Sequence, residues 1–191
     1  MTGLIILAAG ASTRLGQPKQ NLKFQDKTLL QRTVEIAVAS TCRPVIVVVG
    51  ANADHILPIE NCDLIYNANW EEGMASSIRI AMTEIVKNKA IDNVVIMLCD
   101  QPFVSTALID SMVQKRIETD KPIIACTYSD TIGVPALFNR SLFEELLLLK
   151  GNEGAKSIFK THTEQIVTIP FPEGSIDIDT LDDYENLKDR T

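Results

Sequence analysis

No stretch of the 191 residues approaches the run of about 20 apolar side chains that crosses a bilayer, so insertion into a membrane is not expected. Histidine is scarce. His55 and His162 are the two present, neither near a motif, so no Ser-His-Asp order, no Cys-His pair and no His-rich metal spacing can be assembled from the sequence. The four cysteines, at 42, 62, 99 and 126, are too widely spaced for zinc and too few for a disulfide scaffold, which points to a reducing cytoplasm. Positive charge is short as well: 18 Lys and Arg against 25 Asp and Glu give a net charge of -7. Without a basic stripe to displace phosphate counterions, nucleic acid is excluded as a partner. Repeats, low-complexity tracts and long linkers are absent, so residues 1–191 are expected to form a single domain around one core.

What the chain does have is regular alternation of strand and helix patterns. Leu4 to Leu7 is a short apolar run that reads as a first strand, since it lacks the basic segment and the length of a signal peptide. Thr28 to Ser40 repeats apolar residues at helical spacing, and Val45 to Val49 is a β-branched run of the kind buried on both faces of a parallel sheet. A short helix over 53–57, a strand at Asp63 to Tyr66, a helix from Met74 through Val86, and a strand at Val94 to Leu98 follow. Ser105 opens another helix, Pro122 to Cys126 is another strand, and Pro135 marks Gly133 to Phe138 as irregular or an edge. Ser141 and Glu144 have the spacing of a capping box, Gln165 to Ile169 reads as a strand, and a polar helix closes the chain from about Asp182. The pattern predicts a βαβ architecture with a mostly parallel sheet.

Two stretches carry chemistry. Behind the first strand, Leu7-Ala8-Ala9-Gly10-Ala11-Ser12-Thr13-Arg14-Leu15-Gly16-Gln17-Pro18-Lys19 combines small residues, two glycines and two cations, the ingredients of an anion cradle. It is neither a P-loop nor a dinucleotide fingerprint, because Gly-Lys-Ser/Thr does not follow Gly16 and Ser12 stands where a second glycine is needed. In an acidic protein, Arg14, Lys19 and Lys23 are a local concentration of positive charge. The second stretch is the strand that ends in Asp100-Gln101-Pro102, which aims a carboxylate at the edge where open α/β sheets bind ligands.

Far away in sequence, Asp177 and Asp179 follow the alternation of Ile176 and Ile178. Alternation along an extended segment puts both on one face, and either could pair with Asp100 to hold magnesium, which takes one or two carboxylates plus water and phosphate oxygens. Alternatively they cap the final helix. Gly73, Ser76 and Ser77 sit where a helix begins, so the serines either cap it or face a ligand at its positive end. Cys99, beside Asp100 but without a basic neighbour in sequence, reads as a packed thiol.

The first stretch resembles the signature Leu-Ala-Ala-Gly-x-Ser-x-Arg-x-Gly-x-x-Lys of the MobA/MocA-like nucleotidyltransferases at every specified position from Leu7 to Lys19. Asn67, Trp70, Gly73 and Ser77, then Asp100, Gln101 and Pro102, then Asp177 to Thr180, are similar to three further motifs of the family in the same order. The resemblance implies a three-layer αβα sandwich, a Rossmann-like nucleotidyltransferase fold. It further implies that Leu7, Ala8, Ala9 and Gly10 face the base, that Arg14 and Lys19 hold the triphosphate, that Gly73 and Ser77 lie near base and ribose, and that Asp100 and Asp179 hold Mg2+, or Mn2+ in its place. Arg14, Lys19 and Asp100 are then the catalytic residues.

The Ala9 form of the opening resembles the cytidylyltransferases of the family. CTP and a molybdopterin-type acceptor are the implied small-molecule substrates, with transient contact to a molybdoenzyme or its chaperone as a further implied partner. Val134, Asn152 and Lys156 depart from the family's usual His, Asp and Arg in the part that meets the second substrate, so a sugar or polyol phosphate acceptor and a non-catalytic cofactor-delivery role stand as the other readings.

Overall fold

The computed structural model describes residues 1–188. In chain order the elements are β1 (Thr2–Ala8), β2 (Lys23–Phe24), β3 (Lys27–Thr28), α1 (Leu29–Ala39), β4 (Val45–Val49), β5 (Asp63–Tyr66), α2 (Met74–Ile85), β6 (Asn93–Leu98), α3 (Thr106–Thr119), β7 (Ile123–Tyr128), β8 (Thr131–Asn139), α4 (Phe143–Leu148), α5 (Lys156–Phe159), β9 (Ile166–Pro170) and α6 (Leu181–Lys188). The main sheet runs β5-β4-β1-β6-β8-β7-β9, and its neighbours are parallel except around β8. Side-chain alternation sends Ile5 and Leu7 of β1 to the face packed by α2 and α4, and Leu4, Ile6 and Ala8 to the face packed by α1 and α3. Both faces are therefore covered, as the unbroken apolar runs of β1, β4 and β6 require. The αβα sandwich and the mostly parallel sheet expected from the sequence are what the chain forms.

Several local expectations differ. Of the two readings of the segment containing Pro135, the irregular one holds and the edge does not: it is part of β8, inside the sheet between β6 and β7, and the irregularity is a bulge. Pro135 is tolerated because the β7–β8 register shifts between Ala125 and Cys126, leaving Val134 and Pro135 opposite no residue, and the β6 ladder stops at Ala136. A proline that lacks an N–H costs no ladder bond at such a bulge. The Ser141 and Glu144 capping box does not form. The Asn139 side chain accepts from the Ser141 N–H at 3.2 Å, and a 3-10 turn, Arg140–Leu142, precedes α4. The capping box that does form is Thr28 with Gln31, at the start of α1. The expected helix over 53–57 is a 3-10 turn at Ala53–His55.

The segment carrying Asp177 and Asp179 joins no sheet; a 3-10 turn at Pro172–Ser175 leads into irregular chain. Neither aspartate caps α6. Thr180 Oγ accepts from the Asp183 N–H at 3.2 Å while the Asp183 carboxylate takes the Thr180 N–H at 2.8 Å. What holds this segment is a third, small apolar cluster in which Ile178 and Leu187, both fully buried, pack with Leu15, Leu22, Phe24 and Leu29. The segment from Ile176 through α6 is thereby fastened to the loop that follows β1.

Candidate active site

The loop after β1 leaves the sheet at Ala8 and turns over on Ser12, whose φ of 56° lies in the left-handed region, and on Gly16 at 72°. Ser12 pins the turn: its carbonyl accepts from the N–H groups of Leu15 and Gly16, and its hydroxyl accepts from the Lys19 N–H at 3.1 Å. Among the described residues, the N–H groups of Gly10 through Arg14 donate to no protein acceptor. A run of free backbone donors around a left-handed residue is the geometry of an anion nest.

Lys19 is the centre of the site. A 3-10 turn at Lys19–Asn21 aims its ammonium between two carboxylates, 2.7 Å from Asp100 and 2.8 Å from Asp179, while Arg14 reaches the other oxygen of Asp179 at 2.6 Å. Lys19 and Asp100 are mostly buried, with side chains 15% and 13% exposed, whereas Arg14 is 70% exposed, so the inner pair interacts with little screening and the outer one is open to solvent. Burial by itself lowers the affinity of Lys19 for its proton. The charge and hydrogen bond of Asp100, with Asp179 behind it, outweigh that and hold the ammonium above the ordinary lysine range. Burial likewise pushes the Asp179 carboxyl up, and Lys19 and Arg14 together bring it below its usual value. Asp177 goes the other way: partial loss of hydration and the neighbouring charges of Asp100 and Asp179 raise it. Of the two tail aspartates, Asp179 shares Lys19 with Asp100.

Cys99 is a packed thiol. Burial and the adjacent Asp100 push it up to about 12 despite the nearby Lys19.

These groups stand at one end of a cleft of about 510 Å3, a size suited to a nucleotide-scale ligand. Leu7 through Ala11 line one wall, Leu98 through Asp100 the next, and Trp70, Gly73, Met74, Ser77 and Asn152 the far side. Gly50 lets the walls close, since a Cβ there would lie 2.7 Å from Trp70 Cβ and 2.8 Å from the Ala9 carbonyl oxygen. Gly73, with φ 118°, caps α2; a Cβ on it would stand 2.4 Å from Asn152 Oδ1. Over that turn the chain at 149–152 is strapped down by Arg79, which pairs with Glu72 and donates to the Leu149 carbonyl at 2.7 Å.

Of the residues singled out in the sequence, Leu7, Ala8, Ala9, Gly10, Lys19, Gly73, Ser77 and Asp100 line this cleft, Asp179 joins it through Lys19, and Arg14 through Asp179. Lys23 is exposed on β2 and does not line it. The hydroxyls of Ser76 and Ser77 are buried and both accept from Asn67, at 2.8 and 3.0 Å, so neither is the helix cap. His162 is paired with Glu145 at 2.9 Å beyond the cleft, and His55 lies in a surface turn. Sequence reasoning missed Gln20 and Met74, and passed over Asn152 as a wall of the cleft.

A divalent cation fits the acidic end. Asp100 Oδ1 is buried without a hydrogen-bond partner, its Oδ2 already faces a cation in Lys19, and Asp179 supplies a second carboxylate. Among the described residues no group of three or more acidic, His or Cys side chains forms a ready cage. Two carboxylates with the remaining positions left to water and phosphate is the donor set magnesium or manganese accepts.

The family described as MobA-like NTP transferase domain matches residues 4–166. Purine catabolism protein PucB of Bacillus subtilis (strain 168) is 25% identical over 198 aligned residues, 96% of this chain and 94% of that protein. Nicotine blue oxidoreductase of Paenarthrobacter nicotinovorans is 31% identical over 113 residues, 57% of this chain and 54% of that protein, so the match spans about half the length of this relative. The crystal structure of Rv0371c from Mycobacterium tuberculosis H37Rv superposes with a TM-score of 0.83 at 29% identity, covering 99% of this chain and 98% of that one. Its complex with manganese gives 0.79 at 26% identity, covering 100% and 99%.

Proposed function

The chain belongs to the MobA-like NTP transferase family, and from that premise we propose that it is a cytidylyltransferase that moves CMP from CTP to the terminal phosphate of a molybdopterin-type cofactor. The observation that carries this reading is the Lys19 ammonium held between Asp100 and Asp179 at the end of a nucleotide-sized cleft. An oxygen of the acceptor phosphate attacks the α-phosphorus, the bond from that phosphorus to the bridging oxygen breaks, and its electron pair leaves with pyrophosphate. A phosphate monoester carries about -1.5 to -2 charge at neutral pH, so no general base is needed, in keeping with two histidines that stand apart from the cleft. The residues then act by position and charge. The free N–H groups after Gly10 receive the phosphates, Lys19 and Arg14 face the charge that gathers on the departing pyrophosphate, and Asp100 and Asp179 would hold the metal. When bound, Mg2+ or Mn2+ would neutralise phosphate charge and orient the reacting oxygens.

The base assignment rests on the resemblance of the Leu-Ala-Ala-Gly opening, with Ala9 in its third place, to the cytidylyltransferases of the family, and Ala9 is among the residues that line the cleft. A reaction in the reducing cytoplasm agrees with four free cysteines. The acceptor has a second reading, a sugar or polyol phosphate. Asn152 on the cleft wall, Val134 with its carbonyl held by Gln101 and Tyr128, and Lys156 with its Nζ 5.5 Å above the Tyr128 ring all differ from the residues of cofactor-specific relatives.

Pyrophosphate release from CTP, GTP, ATP and UTP with Mg2+, against molybdenum cofactor and a panel of sugar and polyol phosphates, tests all three levels. Release that requires CTP and molybdenum cofactor upholds the proposal. Release with a sugar phosphate moves it to the second reading. CTP binding without pyrophosphate from any acceptor leaves a delivery protein that hands cofactor to a molybdoenzyme or its chaperone.

A further inference from the structure

Gln20 is 1% exposed and lines the cleft, yet it is directed at backbone. Its Nε2 donates to the Ala8 carbonyl at 2.7 Å and to the Gly10 carbonyl at 3.1 Å. The reverse orientation of the amide would set its oxygen against two carbonyls, so the assignment is fixed by the surroundings. Its Oε1 is buried without a partner. An apolar side chain would fill the same space without an unpaired acceptor, so what this position gains from glutamine is the pair of donors.

Their effect follows from the planarity of the peptide unit. In a trans peptide the C=O and the next N–H point in opposite directions. Clasping the Ala8 and Gly10 carbonyls from one side therefore turns the N–H groups of Ala9 and Ala11 to the other side, on a wall whose residues line the cleft. The intervening Ala9 carbonyl is taken by the Ala51 N–H at 3.1 Å, so three successive carbonyls are fixed where the β1 ladder ends at Ala8. Lys19, the adjacent residue of the same 3-10 turn, faces Asp100 and Asp179. One turn thus fixes both that wall and the cation of the cleft.

We propose that Gln20 is a positioning residue that fixes the base-reading backbone of Ala8 to Ala11 and thereby sets the preference among nucleotide bases. This rests on the reading above that the base lies against that wall. Hydrogen bonds to backbone N–H and C=O groups distinguish bases only when those groups are held still, and among the described residues no other side chain spans Ala8 and Gly10, Asn52 reaching the Gly10 carbonyl alone at 3.3 Å.

Calorimetric titration of CTP and UTP into the wild type, Q20M and N21A, with melting temperatures of the three proteins, tests it. N21A is the control, since Asn21 lies in the same turn but donates outward to the His55 carbonyl at 2.6 Å. Q20M is expected to bind the preferred nucleotide about tenfold more weakly, the size of a lost hydrogen bond, and to bring the CTP and UTP affinities close together. Turnover at saturating nucleotide should stay near that of the wild type, because Lys19, Asp100 and Asp179 are untouched. N21A should keep the preference. If Q20M keeps the wild-type ratio, or loses both nucleotides by the same factor as N21A, Gln20 is merely structural and the proposal is overturned. If the wild type prefers a base other than cytosine, the cytidylyl reading fails, and erosion of that other preference by Q20M still upholds Gln20.

Discussion

At the scale of single residues, Lys19 joins the two carboxylates of the site. The ammonium has two carboxylates within 2.8 Å and little solvent, so K19M removes a charge that the resting site depends on and, in the proposed reaction, the departing pyrophosphate as well. Loss of one preorganised donor to developing charge costs about 100- to 1,000-fold in turnover, and K19M should fall in that range in the pyrophosphate assay. Because Asp100 and Asp179 then face each other unbalanced, added Mg2+ should raise the melting temperature of K19M more than that of the wild type. Asp177 supplies a test with the opposite sign. Its carboxyl is raised in the folded protein, so the folded state binds a proton that the unfolded chain gives up earlier, and stability declines as pH rises through about 4. D177N should therefore melt about 1–2 °C higher than the wild type at pH 7, with the gain gone at pH 3, as expected of an exposed substitution. Asp179, held low, contributes stability present above about pH 4 and lost as the pH falls further, so D179N should be destabilising at neutral pH. Lys19 and Asp100 were legible in the sequence, because a cation behind a Gly-bearing loop and a carboxylate at a strand end are local patterns. Gln20 was not, since a glutamine that binds two carbonyls 10 and 12 residues back leaves no periodic trace.

Elements bring these residues together, and the tail is the instructive one. Asp179 reaches Lys19 because Ile178 is fully buried against the loop cluster and its N–H donates to the Asp100 carbonyl at 3.1 Å. I178A should cost about 2–5 kcal/mol of stability, the range for emptying a buried isoleucine site. It should also lower activity at temperatures where the protein is still folded, because the Asp179 carboxylate loses its anchor. Equal unfolding loss in I178A with unchanged metal dependence would show that the tail does not place Asp179. The strands β1, β4 and β6 could be read from apolar runs, since both faces of the sheet are covered there, whereas β5 is a mostly exposed edge strand. The position of β8 could not, because whether Pro135 falls at an edge or a bulge depends on the register of β7, a non-local property. The choice between Asp177 and Asp179 was equally hidden: without a ladder, alternation does not say where either side chain goes.

For the molecule as a whole, alternating strand and helix patterns sufficed to give a βαβ architecture with a mostly parallel sheet, while the three layers came from the family resemblance and convergence of the site did not follow from the patterns. Lys19, Asp100 and Asp179 are separated by 81 and 160 residues from the lysine, and only the order of strands with β1 beside β6, plus the tail cluster, closes that distance. The net charge of -7 is offset locally, with Lys19 and Arg14 both engaged by carboxylates; in the proposed reaction phosphate competes for them. Nucleotide and metal should consequently stabilise the protein together far more than either alone. The most direct test is the melting temperature with CTP, with Mg2+ and with both, in the wild type and in D100N/D179N. At 100 times the dissociation constant a ligand adds about 2.7 kcal/mol, which for a chain of this size is a rise of roughly 5–11 °C. The account predicts that rise for CTP with Mg2+ in the wild type and its loss in the double variant; an equal rise in both proteins, or one indifferent to Mg2+, would contradict it.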